Sequence, residues 1–218
     1  MSKEELSHFV IQFSVFSNLF LKSQLLKVIN APSLEEAREG KEILLNELGV
    51  IFNNKQDNNN ILSTKGTIQG GIYKHEAAHF EWLLKVAKYL DLNYNDLGKM
   101  KHANKETIFF INQLEKLYGS PDDLEAIAAS YAIENWAASG FWDELTIGFK
   151  KYNYFNNLSI PISFWLFHSK LEQNHADHTN SELKKIYESS RIQNETKFFE
   201  ICQEMLEALQ IFWRGMYL

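Results

Sequence analysis

The chain has 218 residues, 45% of them apolar, and a formal net charge of −6. That length suits a single domain, residues 1–218, with a sizeable core, and a chain without a basic block excludes nucleic acid as the default partner. One cysteine, Cys202, excludes an internal disulfide and fits a reducing compartment.

Residues 3–29 place Phe9, Phe13, Phe16, Leu19 and Phe20 at helical spacing, which predicts a long amphipathic first helix. Its start, MSKEELSHF, is acidic and unlike a secretory leader. No stretch is expected to reach the ~20 apolar residues of a membrane span, so a soluble cytoplasmic protein with no membrane partner is expected. Pro32 breaks this helix, and Ser33 with Glu36 forms a capping-box signature for a second, to about residue 53. Its acidic residues, Glu35, Glu36, Glu39, Glu42 and Glu47, read mostly as a solvated face. Residues 54–70 form an Asn-rich loop, expected as a lid or an access loop.

A third helix is expected over 72–91 and a fourth over 95–118, stopped by Gly119. Ser120, Pro121, Asp122 and Asp123 start a fifth, which Gly140 bends or ends at about 139. Further helices follow over 141–151, from about 161, and over 191–214. No stretch alternates as a strand would. The expected fold is all-α, a single-domain bundle of roughly seven helices.

Three places put ionisable residues into apolar helices. The strongest is IPISFWLFHSKLEQNHADH, residues 160–178. There His168, Glu172 and His175 fall at i, i+4 and i+7, on one helical stripe. The second is Glu76 and His79, a Glu-x-x-His pair, for which His75 is a rival to Glu76. The third is Glu134, the only charge between Glu125 and Trp142, and costly to bury unless protonated, paired or bound to a cation. His178 lies about 80° from His168 around a helix and falls outside the ligand set; His8 and His102 read as surface residues.

Glu172 and His175 repeat the Glu-x-x-His spacing of Glu76 and His79. Two such pairs on facing helices, with a carboxylate from a third, follow the logic of di-iron carboxylate bundles. Three carboxylates and three imidazoles suit iron or manganese better than structural zinc. Two metals bridged by carboxylates would leave positions open for oxygen.

At these residues the sequence resembles the haem-oxygenase-like di-iron oxidases. That seven-helix fold is shared with thiaminase-II-like proteins, the pyrroloquinoline-quinone synthase and the chlamydial protein associating with death domains. The family pattern is an acidic residue and a His on one helix, a Glu on a middle helix, then His-x-x-x-(Asp/Glu)-x-x-His. Here it falls on Glu76 and His79, on Glu134, and on His168, Glu172 and His175. The two residues between Glu76 and His79 look more like the members that convert fatty acids to terminal alkenes; Glu172 stands where Asp is common.

The resemblance implies an enzyme with two iron ions (or manganese), O2 as co-substrate and Glu134 as the bridging carboxylate. It would oxidise a small organic substrate such as a fatty or amino acid, by C–C cleavage or N-oxygenation. An alternative is p-aminobenzoate-type synthesis from a protein tyrosine, for which Tyr73 and Tyr131 are candidates. An apolar substrate pocket would draw on Tyr73, Tyr131, Trp136, Phe164, Trp165 and Phe167, side chains that core packing also explains. The aromatic helical surface is compatible with a homodimer. The residues also leave open a non-enzymatic interaction protein that keeps the metals. A thiaminase-II-like hydrolase fits less well, because Cys202 lies in the wrong helix, and ferritin-like iron storage fits His168 poorly.

Overall fold

A computed structural model describes residues 1–51, 74, 75, 79–189 and 192–218, apart from the side chains of 46, 50, 51, 74, 75, 170–179, 181 and 182. The described chain is all-helical apart from one two-residue strand pair. Eight α-helices follow in order: α1 (Lys3–Asn30), α2 (Leu34–Glu47), α3 (His79–Lys88), α4 (Lys105–Gln113), α5 (Asp123–Trp136), α6 (Trp142–Asn156), α7 (Ser163–Glu188) and α8 (Glu195–Arg214). Strands β1 (Val50–Ile51) and β2 (Lys74–His75) pair antiparallel, with Val50 opposite His75.

Local chemistry sets many of these boundaries. Ser2 and Glu5 close a reciprocal capping box at the start of α1. The Ser33 hydroxyl accepts from the Glu36 N–H and donates to its carboxylate, capping α2 as expected. At α5 the cap is Asp122, which accepts from the Glu125 N–H, rather than a residue before Pro121. Gly119 and Gly140 act where expected. The turn before Gly119, Leu114–Tyr118, widens so that the Gly119 N–H reaches the Leu114 carbonyl at 3.1 Å. Gly140, at φ +95°, kinks the chain between α5 and α6.

Three expected helices differ from what the periodicity suggested. The second stops at Glu47 rather than near 53, because Gly49 takes φ +72° and turns the chain into β1. Within the expected helix over 72–91, Lys74–His75 form β2 and α3 is described over His79–Lys88. The expected fourth helix breaks into two short turns, Tyr94–Asp96 and Met100–His102, before α4 starts on its Asn104 cap. The Asn-rich stretch 54–70, expected as a lid, lies outside the described residues.

α1 lies against α2, α3 and α4; α8 covers α4 and α5; α7 packs on α5, α6 and α3. Leu6, Val10, Phe13, Phe110, Trp165 and Phe212 are buried in the core they share. Against expectation, α1 is long and apolar enough to cross a membrane by length and composition. In the fold, one of its faces is core, and its buried Gln12 makes three hydrogen bonds. Gln12 donates to the His102 carbonyl and accepts from the Asn104 N–H and the Thr107 hydroxyl.

Candidate metal centre

His79 is the first described residue of α3, and His168 lies in the second turn of α7. The packing of α3 on α7 brings their rings to a centroid separation of 4.8 Å, crossed at 75°. Both are buried, at 3% and 6% exposure. A pair of buried imidazoles from separate helices needs polar partners. His168 Nδ1 lies 2.7 Å from the Phe164 carbonyl oxygen. A carbonyl only accepts, so this nitrogen donates, and the ring is held with Nε2 on its far side. Ligating histidines are commonly oriented through the ring's other nitrogen in this way.

His79 Nδ1 lies 2.9 Å from Glu47 Oε2, at the end of α2. Glu47, read from the sequence as part of a solvated face, is only 16% exposed at its side chain. The three side chains offer ligand atoms that all lie within 4.8 Å of one another. The strand pair explains why residues so far apart in sequence meet. Glu47 lies three residues before Val50, and His79 four residues after its partner His75.

A sequence signal for Glu47 did exist. Gly40, Leu44 and Glu47 recur at i, i+4 and i+7, and Gly40 is the point where α2 closes on α1. A Cβ on Gly40 would stand 2.9 Å from Val28 Cγ2. The stripe that faces α1 therefore runs on to Glu47, whereas Glu35 and Glu42 point to solvent.

An aromatic shell surrounds the two rings. His79 stacks on Trp82 at 5.4 Å and meets the Phe167 ring at 4.8 Å. His168 stacks on Trp142 at 4.6 Å and lies 4.2 Å from the Phe164 ring. Such a shell keeps water away and lowers the local dielectric, which strengthens the attraction between a cation and its ligands.

Of the expected ligands, His79 and His168 are brought together. Glu134 is buried, at 8%, and accepts a 3.4 Å hydrogen bond from the Tyr118 hydroxyl; it lies outside the group formed by Glu47, His79 and His168. Glu76 lies outside the described residues, and so does the side chain of its rival His75. The backbone of Glu172 and His175 continues α7, as expected, but their side chains lie outside the described residues. His8 and His102 are half-buried rather than free on the surface; their rings meet the Gly215 and Asn95 carbonyls.

The expected pocket residues are spread out. Phe164 and Trp165 are core, Trp165 stacking on Phe149 at 3.8 Å. Phe167 borders the two histidines, whereas Tyr131 packs on Phe198 and Trp136 on Phe141. Tyr73 lies outside the described residues. A cavity of about 410 Å³ opens elsewhere, between the start of α1 and α6, with Phe9, Leu145, Phe149 and Tyr152 in its wall.

Compared with known proteins, the chain matches no family model, no curated protein and no solved structure.

Proposed function

We propose that the protein is an oxygen-dependent, non-haem metal oxidoreductase of haem-oxygenase-like fold, acting on a small organic molecule. One observation carries it: two buried imidazoles from α3 and α7 meet beside a carboxylate, inside an aromatic shell. The donors fit a redox-active divalent metal, since imidazole with carboxylate suits iron or manganese and no cysteine is present among the three. His79 and His168 would hold the metal, and Glu172 and His175 would extend the set along α7. Glu134 would supply the carboxylate of a second position. Iron or manganese bound there would supply the activation of oxygen.

The chain's own contribution is positioning and exclusion of water. The Phe164 carbonyl holds the His168 ring by its Nδ1. Trp82, Trp142 and Phe167 wall the site. The Tyr118 hydroxyl holds one oxygen of Glu134, limiting the directions in which that carboxylate can turn. A thiol hydrolase is disfavoured. Cys202 donates to the Ala128 carbonyl, and burial pushes its thiol up to about 11, so it stays protonated at neutral pH.

The test is metal analysis of protein produced with added iron, followed by anaerobic Fe(II) loading and measurement of oxygen uptake, with fatty acids and amino acids as probes. Retained iron with substrate-dependent uptake supports the proposal. Iron retained without any uptake would make this a metal-binding protein, and protein without metal would remove the proposal altogether.

A further inference from the structure

We infer that Glu47 is itself a metal ligand, and that with His79 and His168 it forms one complete metal position which does not depend on Glu134. This rests on there being a metal centre at these histidines. It adds a ligand from α2 that the Glu-x-x-His spacings do not contain, and it makes the two proposed positions unequal.

Three observations carry it. The first is distance. The 2.9 Å between His79 Nδ1 and Glu47 Oε2 matches the ~3.0 Å edge between neighbouring ligands on a six-coordinate cation with bonds of ~2.1 Å. The ligand atoms of all three residues lie within 4.8 Å of one another; three donors on one face of such a cation are ~3.0 Å apart, so the widest separation would close by up to ~1.8 Å on binding. The proton that bridges Glu47 and His79 is what the cation would replace, since metal binding displaces protons from its ligands.

The second is the origin of the donors. Glu47, His79 and His168 come from α2, α3 and α7, so they approach from three directions. Two imidazoles and one carboxylate in that arrangement are the donor set of mononuclear non-haem Fe(II) sites, with further positions left open. The third is Glu134, which lies outside the group and has the Tyr118 hydroxyl as a partner of its own.

The competing role is that Glu47 only orients His79, accepting from Nδ1–H while Nε2 meets the metal. Glu47→Gln separates the two. Its amide oxygen still accepts from Nδ1–H and so preserves orientation, but a neutral amide is a much weaker ligand than a carboxylate. The experiment is anaerobic titration of the full-length apoprotein with Co(II), followed by the visible ligand-field bands, for the wild type, Glu47→Gln, Glu134→Gln and His168→Ala.

Glu134→Gln is expected to keep one Co(II) per chain at wild-type affinity. Glu47→Gln is expected to shift the bands of that equivalent and to weaken it by more than the ~10–100-fold that loss of an orienting partner costs. Wild-type binding by Glu47→Gln, or loss of all Co(II) in Glu134→Gln, overturns the inference. If His168→Ala loses the metal while Glu47→Gln does not, the inference fails and the metal centre survives. If His168→Ala binds as the wild type does, both fail. Should Glu47→Gln not fold, Glu47→Asp takes its place. Its carboxylate retreats by one methylene and must shift the bands; unchanged bands refute the ligand role.

Discussion

Replacing His168 by Phe separates a metal ligand from an ordinary buried histidine. The ring sits between Trp142 and Phe164, at 4.6 and 4.2 Å, and is 6% exposed. A phenyl ring in its place keeps the stacking and removes the hydrogen bond from Nδ1 to the Phe164 carbonyl. That bond is worth about 1 kcal/mol. The carbonyl is not orphaned, because the helical ladder of α7 gives it the N–H four residues on. The larger apolar ring recovers part of the loss at some risk of overpacking, so the net change should stay within about 1.5 kcal/mol. For a chain of this size that is at most about 3–6 °C in Tm.

The metal response should change far more. A ligand present at about 100 times its Kd stabilises the fold by about 2.7 kcal/mol, or about 5–11 °C here. Wild-type apoprotein should therefore gain that much in a thermal melt with Co(II) or anaerobic Fe(II). His168→Phe should melt near the wild-type apoprotein and gain almost nothing from metal. The reasoning is refuted if the variant shows the full metal-induced rise. It is also refuted if the wild type shows none at metal concentrations that saturate known imidazole–carboxylate sites.

Two other consequences are independent of metal. Gln12→Leu leaves the Asn104 N–H, the Thr107 hydroxyl and the His102 carbonyl without their α1 partner; a loss of about 2–4 kcal/mol is expected, read as a lower urea midpoint with an unchanged slope. Burial raises the Cys202 thiol to about 11 from an ordinary 9.0, and alkylation needs the thiolate. Its rate with iodoacetamide should therefore rise with pH throughout the neutral range, and at pH 7 run about 100-fold below that of an unfolded control. A plateau below pH 9 would contradict the burial.

The helical architecture was legible because its signals are local. Ser33, Gly119 and Gly140 act through caps and turns that a few residues decide, and the structure uses each of them. His79 and His168 were legible because a histidine within an apolar helical run needs an explanation. The strand at Lys74 and His75 was not. The apolar period continues backwards through Ile72 and Tyr73, but Lys74 and His75 are taken up by pairing with Val50 and Ile51. A two-residue strand carries no alternation to detect, and its existence depends on contacts formed in the folded chain. The Gly40–Leu44–Glu47 stripe was present but gave no reason to single out Glu47. Five acidic residues on α2 look alike until it is known that the Gly40 side of the helix meets Val28.

The residues that shape the site are therefore partly the ones that interrupt helices. Gly49 ends α2 two residues after Glu47 and turns the chain into the strand that pairs beside His79. Had α2 continued to residue 53, Glu47 would lie within a helix whose end points elsewhere, and β1 could not form. Gly140 does the same on the other side. Its φ of +95° redirects the chain two residues before Trp142, the ring that stacks on His168. A Cβ at Gly140 would meet nothing within 4 Å, so its role there is conformational rather than steric. Periodicity found the imidazoles, while the carboxylate beside one and the indole against the other are delivered by backbone breaks, which a search for ligands spaced along continuous helices passes over.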